Sequence, residues 1–422
     1  MAFDRRDFLK LAASAGLLVA APPLARHARA GERYVGPFWV TIHARGGWDP
    51  TLLCDPKGRV DENAESPVNM FFQDEIEQVG AFQVPPVEGH REFFERYQNE
   101  LLVLNGVNIG TNSHDTGERV VWSGATNNNM PALAAMIAAS KLDAYAPPIA
   151  FLTNGGYEST GELVAPTRIP SVDALAELAY PHRLDASNAD SSLFTEATRQ
   201  RIADAREGRL DRLRRHSTLP RERRAMNTLY QARASENELQ LLTERLPSTL
   251  DNSNNALIRQ AQVAVAAFSA GLTVSANLSI GGFDTHGNHD ASHTPRMQMI
   301  VQAVDFLMQE ADAAGIADQL YVMVGSDLGR TPWYNDDNGK DHWSVTSMMM
   351  MGPGIRGGRV IGGTNEVQEP YLVDPNTMQA SSTGVSLTPG VVHGALRRLA
   401  GIDELDAARE FSLEGEELDL FS

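Results

Sequence analysis

The chain has 422 residues, a formal net charge of -18 at pH 7 and a single cysteine, Cys54. This length accommodates one large α/β domain or two domains of ordinary size. The negative charge argues against a nucleic-acid partner, because neutralising phosphates requires an excess of Lys and Arg. One cysteine excludes an internal disulfide framework.

Residues 1–30 are typical of an export signal and not of folded structure. Arg5-Arg6 precedes a short apolar run at residues 11–21, and Ala28-Arg29-Ala30 supplies the small residues that a signal peptidase requires. The segment resembles a twin-arginine signal, and an ordinary signal peptide that carries Arg-Arg is the alternative. We therefore expect the twin-arginine translocase as a partner during export and a periplasmic or secreted mature chain without a permanent membrane span.

Four apolar runs predict buried strands that each end at a glycine-containing or polar cluster, at residues 38–43, 101–104, 272–280 and 320–325. Patterns typical of helices lie between them, as at Pro131–Lys141 and Met297–Ala314. Strands that alternate with helices predict an α/β fold with a mainly parallel sheet covered on both faces. In such a sheet the binding crevice lies at the carboxyl ends of the strands.

Two further segments have a distinctive composition. Residues 187–250 are rich in Arg, Glu, Ala and Gln, which predicts two or three exposed helices that form an insertion or cap. The Met348–Met351 run predicts a buried strand, because methionine fills irregular core space.

Polar clusters follow the predicted strands, the last of them across a Gly/Asn/Asp loop. They are Gly46-Gly47-Trp48-Asp49, Ser113-His114-Asp115-Thr116, Asp284-Thr285-His286-Gly287-Asn288-His289, Ser326-Asp327-Leu328-Gly329-Arg330 and Lys340-Asp341-His342-Trp343. A parallel sheet would let all of them converge at one end. Imidazoles and carboxylates are the ligands that hold zinc, manganese or iron in open catalytic sites, so the clusters predict a metal centre.

Each cluster taken alone also has a structural explanation. Asp49 can cap a following helix, and Ser113 or Asp115 can do the same for a helix that runs through Trp122. Isolated histidines are more often ordinary surface or core residues, and this interpretation covers His43, His90, His182, His216 and His393.

The clusters, together with Ser123-Gly124, Thr331-Pro332 and Gly357-Gly358-Arg359-Val360-Ile361-Gly362, follow one another along nearly the whole mature chain. This series resembles the domain of unknown function 1501 family. That family is in turn similar to the alkaline phosphatase and sulfatase superfamily. The resemblance implies a three-layer α/β sandwich with a mostly parallel sheet for residues 31–422, with residues 187–250 as a helical insertion.

The same resemblance implies site residues, because members of the superfamily typically bind two metals and use a hydroxyl or formylglycine nucleophile at a helix start. Zinc is the first expectation, with manganese, calcium or iron as alternatives. The implied metal ligands are Asp49, Asp284, His286, His289, Asp327 and His342. The implied nucleophile is Ser113 or Thr116, and Arg330 or Arg45 would clamp the substrate oxygens. On a loop, His286 and His289 are spaced so that both could face one ion.

Two positions depart from the superfamily pattern. Asn288 stands where the Asp-x-x-x-His spacing has a histidine, and Leu328 follows Asp327 where the pattern has a histidine. A second metal would then need His114 or His342 as a replacement ligand.

The sequence thus predicts an exported metal-dependent hydrolase that acts on an anionic phosphate or sulfate ester, either a small molecule or a polymer. The alternative is a non-catalytic periplasmic binding or assembly factor that keeps the fold and one metal. The chain contains no nucleophile elbow, Walker loop or zincin helix, which excludes the commonest serine hydrolases, NTPases and metalloproteases.

Overall fold

The structure, a computed structural model, describes residues 33–63, 65–145, 147–169, 179–180, 182–185, 188, 190–216, 219, 222, 236–247 and 249–422. The predicted export signal, residues 1–30, lies outside them. Among the described residues, no helix combines the length and the apolarity that crossing a bilayer requires.

The strands are β1 Phe38–Ala44, β2 Glu77–Val79, β3 Phe82–Val84, β4 Leu102–Asn108, β5 Phe151–Thr153, β6 Pro166–Thr167, β7 Ser275–Ile280, β8 Leu320–Ser326, β9 Gly329–Arg330, β10 His342–Trp343, β11 Val345–Met351, β12 Arg359–Gly362, β13 Leu372–Val373 and β14 Ala380–Ser381. The α-helices are α1 His90–Tyr97, α2 His114–Ser123, α3 Leu133–Ser140, α4 Leu142–Tyr145, α5 Glu196–His216, α6 Glu236–Arg245, α7 Ala256–Ser269, α8 His289–Ala313, α9 Pro389–Leu399 and α10 Asp406–Glu410. Short 3-10 helices lie at Pro50–Leu52, Gln73–Glu75 and Ala317–Gln319.

The central sheet has the strand order β12-β4-β11-β8-β1-β7-β5-β6. All neighbouring pairs are parallel except those of β11, which runs antiparallel to both β4 and β8. Every residue of β1, β7 and β11 is buried. Because successive side chains of a strand point to opposite faces, both faces of the sheet are covered. The predicted three-layer α/β sandwich with a mostly parallel sheet is confirmed, as is the buried methionine strand.

One helix differs from its prediction in a way that matters for the site. The helix predicted to begin at Met297 starts at His289, directly after Asn288, whose φ of 49° is left-handed. His289 and His293 therefore lie on one face of α8, about one turn apart. The segment at residues 187–250 contains α5 and α6, and its role as an insertion or cap stays a prediction.

Close backbone packing holds the loops at the carboxyl ends of the strands. Gly46, at a φ of 111°, follows β1, and a Cβ atom there would lie 2.6 Å from the backbone nitrogen of Asp284. A Cβ atom on Gly117 would lie 2.1 Å from the carbonyl oxygen of Asp327, so α2 packs directly against the end of β8. Only glycine permits these approaches, which bring the polar clusters into one place.

Candidate metal centre

Side chains from three regions converge on Asp284, which follows β7. We call His114, Asp284, His286 and His342 the outer cluster. Nε2 of His286 lies 2.9 Å and Nε2 of His342 lies 3.1 Å from Asp284 Oδ1, and Nε2 of His114 lies 3.5 Å from Asp284 Oδ2. The ligand atoms of His114, Asp284 and His342 are all within 4.8 Å of one another. All four side chains are partly exposed, so the cluster is open to solvent.

The partners of the three imidazoles fix where their protons lie. Nδ1 of His114 is 2.5 Å from Asp327 Oδ2, and Nδ1 of His286 is 2.7 Å from Asp341 Oδ1. Nδ1 of His342 lies 2.8 Å from the carbonyl oxygen of residue 112. Carboxylates and carbonyls only accept, so each Nδ1 carries a proton, and Nε2 is the atom of each ring that an ion beside Asp284 would bind. Metal-binding histidines are oriented in this way by their outer partners.

The Nε2 atom of His114 is buried and has no hydrogen-bond partner among the described residues. Its neighbours are the Asp284 carboxylate and the His342 ring, whose centroid lies 4.3 Å from that of His114. A buried nitrogen that faces a carboxylate is unfavourable unless a proton or a cation lies between them. His114, Asp284 and His342 therefore fit a metal ion by their donor set, and His286 adjoins them through Asp284.

Arg330 holds Asp284 in its charged form. Partial burial acts to raise the pKa of Asp284, but Arg330, whose Nη2 lies 2.7 Å from Oδ1, outweighs it and lowers that pKa to about 2. Arg330 is fully buried, and its other donors bind the backbone carbonyls of Gly46, Gly47 and Lys340. This geometry makes Arg330 a brace for Asp284, and direct contact with a substrate stays a prediction.

Asp327, a predicted ligand, holds His114 and the loop after β1. Its Oδ1 accepts hydrogen bonds from the backbone nitrogens of Gly46 and Gly47 at 2.8 and 3.1 Å and lies 3.2 Å from His43 Nε2. Burial acts to raise the pKa of Asp327, but the contacts with His114 and His43 outweigh it and hold that pKa below its usual range. Both oxygens are engaged, so the geometry favours a positioning role over direct ligation.

Asp49 and His289, also predicted ligands, lie in a separate group that we call the inner network, with Thr285, His293 and Lys340. All five side chains are buried. Asp49 Oδ2 accepts a hydrogen bond from Lys340 Nζ at 2.6 Å and lies 3.1 Å from His289 Nε2. The structure thus separates His289 from His286, because His289 begins a helix and turns inward while His286 stays on the exposed loop.

Charge balance in the inner network is local. Burial acts to raise the pKa of Asp49, but the Lys340 ammonium outweighs it and holds that pKa below its usual range. Burial lowers the pKa values of His289 and His293, so both rings are neutral. The network therefore contains one negative and one positive charge, each paired with the other.

The two predicted nucleophiles lie at the start of α2. Ser113 precedes the helix, is exposed, and makes no capping hydrogen bond with its side chain. Thr116 is partly buried and follows His114 by two residues, which corresponds to about 200° around the helix. Ser113 is the more exposed of the two and adjoins His114 in the chain, and the role of either as nucleophile stays a prediction.

Several residues of the site have no role that the sequence predicts. His43, which the sequence predicts to be an ordinary isolated histidine, contacts Asp327 from β1. Lys340 and Asp341 stand in a cluster chosen for His342, and His293 follows the Asp284 cluster on α8. A basic residue beside a predicted ligand cluster is the only signal for Lys340 in the sequence, because its partner Asp49, in the loop after β1, is close to it only in the fold.

The sequence matches the family described as Protein of unknown function (DUF1501) over residues 39–398. The chain belongs to this family. The match confirms the resemblance carried by the motifs of this DUF1501 protein. No curated protein matches the chain.

Solved structures with similar folds include the lipoteichoic acid synthase LtaP from Listeria monocytogenes, with a TM-score of 0.40, 8% identity and coverage of 92% of this chain and 77% of that chain. The PsFucS1 sulfatase from Pseudoalteromonas sp. has a TM-score of 0.36, 12% identity and coverage of 92% and 76%. A mutant of TAB5 alkaline phosphatase has a TM-score of 0.31, 8% identity and coverage of 76% and 93%. At these values the activity has to be argued from the residues of the DUF1501 protein itself.

Proposed function

We propose that the protein binds one divalent metal ion at the outer cluster and hydrolyses phosphate or sulfate esters in the periplasm or outside the cell. The convergence of three imidazole nitrogens on the Asp284 carboxylate supports the metal site. Without a cation or extra protons, these electron-rich atoms would repel one another at 2.9 to 3.5 Å. A divalent ion between them removes that repulsion.

The donor set favours particular ions. Imidazole nitrogens suit zinc, manganese or iron, whereas calcium prefers a shell of oxygen atoms. Zinc is our first choice, because histidine nitrogens together with one carboxylate match its usual ligands. The exposure of the cluster leaves room for a further ligand such as water or substrate.

The chain's own residues would divide the work. His114, Asp284, His286 and His342 would hold the ion, which when bound would polarise the ester oxygens and lower the pKa of a hydroxyl or water nucleophile. The N-terminus of α2 begins at His114, and its free backbone N–H groups favour an anionic ester group beside the cluster. Ser113 is our candidate for the hydroxyl nucleophile because it is exposed and adjacent to His114 in the chain.

A second candidate function is a non-catalytic binding or assembly factor that keeps one metal ion. The pairing of Lys340 with Asp49 favours it, because the carboxylate that would serve a two-metal hydrolase already has a cation partner. The two candidates agree on metal binding and differ in ester hydrolysis.

The first experiment measures metal content and hydrolysis on the same samples. Wild-type protein, His342→Ala and the control His216→Ala are analysed by mass spectrometry for bound metal and assayed with 4-nitrophenyl phosphate and 4-nitrophenyl sulfate. His216 is an exposed residue of α5, so this control repeats the substitution outside the outer cluster. We expect stoichiometric metal and ester hydrolysis in the wild type and the control, and loss of both in His342→Ala.

Metal without hydrolysis of any phosphate or sulfate ester in a broad panel would favour the binding or assembly factor. A wild type that takes up none of zinc, manganese and iron would contradict both candidates.

Export is tested separately by replacing Arg5 and Arg6 with Lys and following the protein in the periplasmic fraction. Retention of the variant in the cytoplasm is the expected result.

A further inference from the structure

We propose that the ammonium group of Lys340 is a built-in cation that takes the place of a second metal ion beside Asp49. This inference rests on the proposed function in one respect, because the expected ion counts assume that the outer cluster binds one ion. It also assigns a latent divalent cation site to Asp49, Asn69 and His289, which opens when the ammonium is removed.

The hydrogen bonds of the inner network form a closed ring whose direction is set at both ends by Asp49, because its backbone N–H only donates and its carboxylate only accepts. The backbone N–H of Asp49 donates to Nε2 of His293 at 2.9 Å, so the proton of His293 is on Nδ1. Nδ1 of His293 then donates to Thr285 Oγ1 at 3.0 Å, and the Thr285 hydroxyl donates to Nδ1 of His289 at 2.8 Å. Nε2 of His289 therefore carries a proton and donates it to Asp49 Oδ2 at 3.1 Å.

This ring leaves no lone pair for a metal ion on His289. Its Nδ1 accepts from Thr285, and its Nε2 points a proton at Asp49. The outer cluster differs, because there each Nδ1 donates to an acceptor and Nε2 is the atom left for an ion. The inner network as it stands does not fit a metal ion.

Lys340 completes the coordination of the carboxylate. Its Nζ lies 2.6 Å from Asp49 Oδ2 and 3.0 Å from Asn69 Oδ1. The amide of Asn69 is oriented by its Nδ2 donors, which bind Thr51 Oγ1 at 2.7 Å and the carbonyl of Lys57 at 2.9 Å, so an oxygen faces the ammonium. The aromatic ring of Tyr334 lies below, with its centroid 5.1 Å from Nζ. The ammonium therefore binds two side-chain oxygens, one from Asp49 and one from Asn69, that could also bind a metal ion.

The burial of the pair makes its charge balance necessary. Asp49 and Lys340 are both completely buried, so neither charge is screened by water. Removing the ammonium alone would leave an uncompensated carboxylate in the interior. A divalent cation could replace it if the proton of His289 Nε2 were released, giving one nitrogen and two oxygen ligands.

Metal ions per chain are counted in wild type, in Lys340→Met and in the pair Asp49→Asn with Lys340→Met. Methionine keeps a long unbranched side chain without the charge, and the pair removes both charges together. Each protein is equilibrated with Zn²⁺ or Mn²⁺, freed of excess metal and analysed by mass spectrometry. We expect one ion per chain in the wild type, two in Lys340→Met and one in the double variant Asp49→Asn with Lys340→Met.

A parallel series carries His342→Ala, which removes a ligand of the outer cluster. There we expect no ion with Lys340 present and one ion in Lys340→Met. A metal-free wild type together with a one-ion Lys340→Met protein would contradict the proposed function and support this inference. A second ion in the wild type that is lost in Asp49→Asn would overturn the inference and leave the proposed function intact.

The same metals test whether Lys340→Met can fold. If the variant is unfolded in chelator, we expect Zn²⁺ or Mn²⁺ to restore its thermal transition, while the pair folds without metal. A Lys340→Met protein that gains no ion and no thermal stability from either metal, while the pair folds normally, overturns the proposal.

Discussion

The outer cluster and the inner network each place histidines around an aspartate, and yet the partners of their imidazole rings differ. In the outer cluster, acceptors behind the rings take the Nδ1 protons of three histidines, which leaves Nε2 of each ring as the atom available to an ion beside Asp284. In the inner network, a closed ring of donors turns the Nε2 proton of His289 towards Asp49. Residue type alone therefore does not identify a metal ligand, because the partners of each ring decide which atom is free.

Solvent access separates the two regions further. Asp284 is about half exposed, whereas Asp49 is fully buried and depends on one lysine for its counter-charge. The exposed cluster can take up an ion directly from solution, whereas the charges of the buried pair already balance each other. The comparison predicts that substitutions in the inner network mainly affect the free energy of unfolding, whereas those in the outer cluster mainly affect metal affinity.

The largest expected effect is the loss of stability in Asp49→Ala. This change leaves the Lys340 ammonium buried without its carboxylate, and breaking a buried pair in this way costs about 3–5 kcal/mol. His342→Ala, in the partly exposed outer cluster, should cost about 1 kcal/mol or less in chelator. Unfolding by urea in the presence of chelator measures both. If both variants lose the same free energy of unfolding, the inner network is no more important for stability than the outer cluster.

A smaller effect is expected from Asp327→Asn. The carboxylate accepts the Nδ1 proton of His114, and an amide there can offer a donor instead, which would favour the wrong tautomer of the ring. Loss of such an outer partner lowers metal affinity by about 10–100-fold.

The measurement for Asp327→Asn is a metal titration followed by the same urea unfolding. Asp341→Asn is the matched control, because Asp341 has the same role for His286 but is half exposed, and its effect should be smaller. Direct ligation by Asp327 would instead abolish binding, and a purely structural role would lower stability without changing the affinity of the folded protein.

Much of the fold could be predicted from local pattern. The apolar runs that become β1, β4, β7 and β8 are each followed by polar residues, and a parallel sheet brings those ends together. The start of α8 was predicted late, because its first turns carry polar residues and Pro295. That one boundary moved His289 from a loop into the interior.

The partners of the site residues could not be read from the sequence. Lys340 and Asp49 are 291 positions apart, and His43 and Asp327 are 284 apart. Such pairs exist only once the loops pack, and spacing along the chain carries no information about them. Asp284, His286 and His342 were within reach because each stands in a polar cluster at the end of a predicted strand or after a short loop.

The smallest expected effect concerns the pH dependence of stability in the inner network. Burial holds the pKa of His293 below its ordinary value of 6.5 in the folded protein, whereas the unfolded chain regains that value. The unfolded state therefore binds more protons as the pH falls below about 6.5, and the free energy of unfolding decreases in that range. In His293→Gln this contribution is absent, so stability should fall less steeply with decreasing pH.

Urea unfolding of metal-free protein at a series of pH values below and above 6.5 measures that slope. His393→Gln is the reference, because burial also lowers the pKa of His393, to about 4, at a site outside the inner network. Both variants should show a shallower slope than the wild type. A slope unchanged in His293→Gln but reduced in His393→Gln would mean that His293 takes up a proton as readily in the folded protein as in the unfolded chain. The hydrogen-bonded ring, in which Nε2 of His293 accepts from the backbone of Asp49, would then have to be abandoned.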